Sequence, residues 1–353
     1  MPFSRAFLRM LALAGVWVAD AHAQTAQITD LAYTRPDRLV EIEPGRRLNL
    51  HCIGRGSPTV ILEGGITTAL VYWGLVQPAV AHATRVCSYD RAGLGFSDAS
   101  PRASDAANSV DDLHRLLTAA GSTPPYVLVG WSAGGLYSRL YIYTYPREVV
   151  GLVLVDSSRE DQDEMFRSTD PRGFSKEQWD LTFLDASLAK RRACIVAAKS
   201  GTITAGSEMF KNCIFHTDQL SAAVQESEDR REMTRAFQST QHSEEEAFMR
   251  STARQVRGAK HDLGDLPVIV LTRDRFPPPP NATPERLNTM EVRYQKWLGL
   301  ARELAGMSSR GQQRIVAGAG HEILLDRPQS VIDATLEVLA VARNPHAPRG
   351  AGP

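Results

Sequence analysis

The chain has 353 residues, of which 43% are hydrophobic and 23% charged, as in an ordinary globular protein. Its 40 Lys and Arg residues balance 40 Asp and Glu residues, so no net charge attracts nucleic acid or an acidic membrane. This balance excludes nucleic acid as an expected partner and favours a small, largely uncharged substrate.

The first residues are typical of a secretory signal peptide. Arg5 and Arg9 precede a short apolar run over 10–19, and Ala21-His22-Ala23 supplies small residues at alternate positions. The run has roughly half the length that spans a bilayer, which disfavours a membrane anchor. The pattern predicts that 1–23 is a signal peptide and that the protein is exported, periplasmic or secreted, with no stable membrane insertion.

Export affects the interpretation of the four cysteines, because an oxidising compartment lets them pair. Cys194 and Cys213 lie in one middle region, where a disulfide bond would close a local loop. Cys52 and Cys87 lie in apolar, strand-like stretches, where free buried cysteine is an equally good account. Both pairings stay open, and no cysteine spacing resembles a metal site.

Strand and helix patterns alternate along the chain. Two alternating runs between Leu39 and Cys52 predict an antiparallel hairpin. Strands rich in Val, Leu and Ile then alternate with helical segments, which indicates a mostly parallel sheet covered on both faces. Arg293–Leu304 is predicted as a helix that precedes the last strand.

The middle of the chain differs from its two flanks. Charged helix-forming residues dominate 157–263 and predict an inserted helical cap. The predicted domains are a core in two parts over 24–156 and 264–343, the cap over 157–263, and a disordered Pro- and Gly-rich tail over 344–353.

The motif Gly130-Trp131-Ser132-Ala133-Gly134 lies between an apolar strand and a segment with helical spacing. A serine on such a tight turn has a strained backbone and small neighbours, and its hydroxyl projects clear of the sheet. The motif therefore predicts a nucleophile elbow with Ser132 as the nucleophile. Trp131, Gly65 and Trp73 are the residues expected to line the substrate pocket.

A serine hydroxyl becomes a good nucleophile when a base accepts its proton, and the base in such sites is a histidine. Of the nine histidines, His321 follows the last predicted strand directly. The glycines of Gly318–Gly320 allow the loop to bend over the edge of the sheet. We therefore predict His321 as the base.

These motifs together resemble the exported serine hydrolases of the α/β-hydrolase fold superfamily. The resemblance runs from about Leu48 to Leu339 and is carried by Leu62–Gly65, Tyr89–Ser97, Gly130–Gly134, Gly151–Asp156, Gly320–His321 and Asp326–Pro328. It implies a mostly parallel central sheet with helices on both faces and an inserted helical cap. It also implies an oxyanion hole formed by the backbone N–H groups of Ala133 and Ile66. Many relatives have His-Gly where this chain has Gly64-Gly65.

The resemblance offers two positions for the acid that orients the histidine. Asp156 ends its predicted strand on the same edge of the sheet as Ser132. Asp274 follows the predicted strand Val268–Leu271, where many relatives have the acid. We favour Asp156 and keep Asp274 as the alternate acid, with another residue such as Asp161 third.

The predicted reaction is hydrolysis of a carboxylic ester of a small or medium substrate through an acyl-enzyme intermediate, with no metal or organic cofactor. The same residues suit an aminopeptidase, a lactonase, a C–C hydrolase or a cofactor-free perhydrolase. A non-catalytic ligand-binding homologue is the alternative from another class. Epoxide hydrolase and haloalkane dehalogenase chemistry are disfavoured, because their ester intermediate needs a carboxylate where Ser132 stands. No feature of the sequence indicates an oligomeric state.

Overall fold

The computed structural model of the protein describes residues 26–344. Its strands are β1 (Arg38–Glu43), β2 (Arg46–Ile53), β3 (Thr59–Glu63), β4 (Val86–Tyr89), β5 (Tyr126–Trp131), β6 (Val149–Val155), β7 (Val268–Arg273) and β8 (Gly311–Val316). They form one 8-stranded sheet in the order β1-β2-β4-β3-β5-β6-β7-β8. The hairpin β1–β2 is antiparallel, β2 pairs antiparallel with β4, and every later pair is parallel. The predicted hairpin and the mostly parallel sheet are confirmed.

The sheet has a hydrophobic core on each face, because its central strands have continuous apolar runs whose side chains point alternately to the two faces. In β3, Val60 and Leu62 pack into one core while Ile61 packs into the other. All five residues of β3 are buried. A parallel sheet covered by helices on both faces requires such continuous apolar strands rather than alternating ones.

The α-helices follow the strands in chain order. They are α1 (Gln77–Val80), α2 (Ala106–Ala119), α3 (Gly134–Thr144), α4 (Gln162–Ser168), α5 (Lys176–Trp179), α6 (Ala186–Ser200), α7 (Glu208–Cys213), α8 (Ala222–Glu232), α9 (Arg235–Ala247), α10 (Ala253–Ala259), α11 (Pro284–Ala305), α12 (Ile323–Asp326) and α13 (Pro328–Arg343). Short 3-10 helices cover Leu31–Thr34, Leu70–Trp73 and Pro146–Glu148, and π-helical segments cover Asp180–Asp185 and Phe248–Thr252.

Helix α11 begins at Pro284, nine residues before the predicted start at Arg293. The side chain of Thr283 caps it by accepting the backbone N–H of Arg286, and proline is well suited to the first helical position. The first buried residue of α11 is Tyr294. Its early turns therefore bury no apolar side chain against the core.

The segment between β6 and β7 holds helices α4–α10 and the two π-helical segments. Its one extended contact is an isolated bridge between Leu220 and Ile28. Two disulfide bonds are present: Cys52–Cys87 joins β2 to β4, and Cys194–Cys213 joins α6 to α7.

The predicted signal peptide and residues 345–353 of the predicted tail lie outside the described residues. None of the helices within 26–344 combines the length and the apolar character needed to cross a membrane.

Candidate active site

Ser132 lies in the turn between β5 and α3 with a φ of +54°, a conformation that L-residues rarely adopt. The glycines of the motif are required by close backbone packing. A Cβ on Gly130 would lie 2.5 Å from the carbonyl oxygen of Gly134, and a Cβ on Gly134 would lie 2.3 Å from that of Glu63. The packing leaves no room for a side chain at Gly130 or Gly134, so these glycines allow the tight turn. The turn holds the Ser132 hydroxyl at the carboxyl end of the sheet.

The structure brings Ser132, His321 and Asp156 together. Nε2 of His321 lies 3.0 Å from Oγ of Ser132, and Nδ1 of His321 lies 2.6 Å from Oδ2 of Asp156. His321 follows β8 and Asp156 follows β6, so parallel strands deliver both side chains to one edge of the sheet. The three groups form one hydrogen-bonded chain from a hydroxyl to a carboxylate.

The carboxylate of Asp156 is completely buried. Its Oδ1 accepts hydrogen bonds from Nε1 of Trp297 at 2.8 Å and from the backbone N–H of Arg273 at 3.2 Å. The Arg273 guanidinium lies 3.6 Å from Oδ2, and burial lowers the pKa of that guanidinium. Buried charge is tolerated where hydrogen bonds and an opposite charge surround it, as they do here.

Asp274, the other predicted acid, does not touch His321. It accepts the backbone N–H groups of Gly318 at 2.9 Å and of Arg275 at 2.8 Å. These two hydrogen bonds lower the pKa of Asp274, and the bond from Gly318 has the larger effect. Asp274 thus fixes the loop that leads from β8 to His321.

The two backbone groups predicted for the oxyanion hole lie beside Ser132. Ala133 follows it directly, and Ile66 lines the same cavity as Ser132. A Cβ placed on Gly65 would lie 3.4 Å from Cβ of Ser132, so the loop that carries Ile66 is close to the elbow. Within residues 26–344, neither N–H donates a hydrogen bond. Both donors remain available to a ligand.

A cap residue supports the oxyanion loop, which we define as Gly64–Thr68. Glu244 of α9 accepts the backbone N–H of Thr67 at 2.6 Å and Nε of Arg91 at 2.9 Å. Arg91 in turn donates to the carbonyl oxygens of Gly64 and Gly65, at 2.9 and 2.5 Å. Both charged side chains are buried. This contact joins cap and core directly at the loop, and the sequence analysis did not identify Glu244.

A cavity of about 390 Å³ lies between the edge of the sheet and the cap. Its core side includes Gly65, Ile66, Thr67, Tyr72, Trp131, Ser132 and His321, and its cap side includes Lys190, Arg191, Lys211, Phe215, Glu232, Phe237 and Gln241. Trp131 and Gly65 therefore lie where they were predicted. Trp73 does not, because it is buried in the core with 1% of its surface exposed, and its neighbour Tyr72 lines the cavity instead. Among residues 26–344, no cluster of three or more His, Cys, Asp or Glu side chains is arranged to hold a metal ion.

Glu232 places a carboxyl group in the cap wall of this cavity. Its Oε2 accepts the backbone N–H of Phe215 at 2.9 Å. Burial raises the pKa of Glu232 to about 8, and it raises the pKa of Glu228, one turn earlier in α8, to about 7. At neutral pH the carboxyl group of Glu232 is therefore mostly protonated, and it adds little negative charge to the cavity.

A protein-family model and several solved structures are similar to this chain over most of its length. Residues 60–334 match the model of the alpha/beta hydrolase family. A mutant of a candidate epoxide hydrolase from Pseudomonas aeruginosa is similar with a TM-score of 0.62 at 19% identity, over 87% of this chain and 96% of that one. A candidate lipase from Acinetobacter baumannii has a TM-score of 0.62 at 19% identity, over 90% and 95%. At these identities the structures establish the fold and not the reaction.

Curated relatives match over shorter segments. An AB hydrolase superfamily protein of Gibberella zeae is 34% identical over 109 residues, which cover 29% of this chain and 33% of that protein. The protein YqjL of Bacillus subtilis is 31% identical over 111 residues, covering 31% and 44%. The chain spans less than half the length of the curated relatives that it matches.

The raised pKa of Glu232 predicts how stability changes with pH. The folded protein keeps a proton on Glu232 from its ordinary pKa of 4.5 up to about 8, a range in which the unfolded chain has lost it. The free energy of unfolding therefore falls as pH rises through that range. The free energy of unfolding of the Glu232→Gln variant should fall less over the same pH range. The amide does not ionise, and its oxygen can still accept the Phe215 N–H.

Denaturant unfolding at about pH 5 and about pH 8 measures this difference. Glu226→Gln, on the exposed face of the same helix, is the matched control and should follow the wild type. The same loss of stability in Glu232→Gln and wild type would contradict the raised pKa.

Proposed function

Because the chain belongs to the alpha/beta hydrolase family, we propose that it is a serine hydrolase that cleaves a carboxylic ester through an acyl-enzyme intermediate. The observation that carries the proposal is the hydrogen-bonded chain from Ser132 through His321 to Asp156 in the wall of a cavity. Serine, histidine and a buried acid in this arrangement activate a hydroxyl for attack on an acyl carbon.

In the proposed first step, Oγ of Ser132 attacks the ester carbonyl carbon and Nε2 of His321 takes its proton. Asp156 accepts the Nδ1–H of His321, which leaves Nε2 as the basic nitrogen and stabilises the imidazolium that forms. The imidazolium then protonates the leaving alcohol. Because all three groups are already within hydrogen-bonding distance, little reorganisation precedes the step.

Negative charge develops on the carbonyl oxygen during this attack. The N–H groups of Ala133 and Ile66 are the donors proposed to stabilise it, and both lack other acceptors among the described residues. Preorganised donors of this kind commonly contribute a factor of about a hundred to a thousand each in turnover. Water, activated by His321, then hydrolyses the acyl-enzyme, and the cycle needs no metal or organic cofactor.

The size of the cavity supports a small or medium substrate. Its volume of about 390 Å³ lies toward the lower end of the range found for ligand pockets. A long acyl chain would have to extend past the cap residues into solvent.

Two of the similar structures carry different activity names, lipase and epoxide hydrolase. Ser132 at the elbow favours ester cleavage over epoxide opening through an ester intermediate, since the latter needs a carboxylate as nucleophile.

We also propose that the protein is exported, as its first residues predict. The two disulfide bonds support this, because such bonds persist in oxidising compartments.

Ser132→Ala should lower turnover of p-nitrophenyl butyrate by at least about a thousandfold, because Ser132 is the hydroxyl that contacts Nε2 of His321 among residues 26–344. Parallel assays on p-nitrophenyl acetate and palmitate should show preference for the short chains. Activity that survives in Ser132→Ala would mean another nucleophile.

Asp156→Asn should lower turnover by on the order of ten-thousand-fold, because the amide favours the wrong tautomer of His321. Asp274→Asn is the matched control: it alters a carboxylate in the same region that touches only backbone N–H groups, and its loss should stay below about tenfold. Losses of similar size in the two variants would count against Asp156 as the acid.

A further inference from the structure

The side chain of Gln241 in the cap wall has no hydrogen-bond partner within the described chain. The residue is 6% exposed, and its Oε1 is out of reach of solvent and accepts no hydrogen bond. Gln241 is one of the residues that line the cavity. An unpaired buried amide destabilises the folded protein, so such groups call for an explanation.

Gln241 lies close to the oxyanion loop. Phe237, Gln241 and Glu244 follow one another on α9 at spacings of four and three, which place them on one face of a helix. Glu244 accepts the N–H of Thr67 in that loop. Gln241 is therefore about one helical turn, or about 5 Å along the axis, from the residue that holds the loop.

Two other polar side chains of the cavity wall have protein partners. Arg191 donates to Glu245, and Glu232 accepts from Phe215. Gln238, which is not part of the cavity wall, has an unpaired Oε1 as well, but its Nε2 donates to two backbone carbonyl oxygens and so has a structural role. Gln241 makes no such bond, and because its Oε1 has no accessible surface, Nε2 is the end of the amide that a ligand in the cavity can reach.

We propose that Gln241 is a specificity-determining residue that hydrogen-bonds a hydroxyl group of the substrate near the scissile ester. The inference rests on the proposed ester hydrolysis and names its substrate class, a hydroxylated ester. The hydroxyl oxygen accepts the Nε2–H of the amide. A plain alkyl chain in the same place would leave the amide unpaired, and such sites discriminate strongly against it.

The test compares matched esters with and without a hydroxyl. Ethyl 3-hydroxybutyrate against ethyl butyrate places the hydroxyl on the acyl side, and 2-hydroxyethyl butyrate against ethyl butyrate places it on the alcohol side. We expect the wild type to have the higher kcat/KM for the hydroxylated member of one pair, which identifies the side. Gln241→Met, of similar size, should lower that preference about tenfold.

Phe237→Leu is the matched control, because it changes the shape of the same wall without changing its hydrogen bonds. It should alter both members of a pair alike and keep their ratio within about twofold. Thermal melting of each variant checks folding, and the wild-type ratio is decisive even if Gln241→Met does not fold.

Two results would overturn the inference while leaving ester hydrolysis intact: no wild-type preference for the hydroxylated ester in either pair, or the same preference in Gln241→Met. The proposed function itself would be contradicted by another result: no ester is hydrolysed and a fluorophosphonate does not label Ser132.

Discussion

The buried carboxylate of Asp156 is the group on which the geometry of the site depends. It follows β6, receives hydrogen bonds from Trp297 of α11 and from the backbone of β7, and holds His321 after β8. A charge without solvent needs all of these partners at once. The hydrogen bonds of Asp156 therefore fix the ends of three strands and one helix relative to one another, and they orient the imidazole of His321 toward Ser132.

A second buried charge, that of Glu244, connects the cap to the same site. Arg91 pairs with both Glu244 and Glu63, and buried ion pairs gain little net stability, although removal of Arg91 would leave two buried carboxylates without their cation at high cost. The Arg91–Glu244 pair is therefore better understood as a device that fixes position than as a source of stability. It sets the oxyanion loop from the cap side, while the elbow sets Ser132 from the core side. Opening of the cap would disturb that loop as well as expose the cavity.

The parts of the site that sequence predicted are those with a local signal. The elbow needs glycines at fixed spacing, and the loop with His321 follows a strand directly. In the fold, the hairpin was predictable because its apolar and polar residues alternate along the chain. The choice between Asp156 and Asp274 had no local signal, because both follow strands that end at the same edge of the sheet. Only the tertiary structure shows that one carboxylate touches the imidazole and the other touches backbone N–H groups.

The cap was predictable as helical but not as part of the site. Phe237, Gln241 and Glu244 share one face of α9, yet two of the three are polar, so the pattern resembles a solvated helix. Trp73 was expected in the pocket from its residue type, whereas the short 3-10 helix Leu70–Trp73 turns Tyr72 toward the cavity instead. Side-chain direction in a short helical turn is set by tertiary packing rather than by sequence spacing.

The central claim is that Ser132 carries the acyl group during turnover. Acid quenching during hydrolysis of p-nitrophenyl butyrate, followed by mass spectrometry of the peptides, measures this directly. The account predicts a butyryl group on the peptide that contains Ser132 and no butyryl group on that peptide in Ser132→Ala. A butyryl group on another residue, or sustained turnover with no acylated peptide at all, would contradict it.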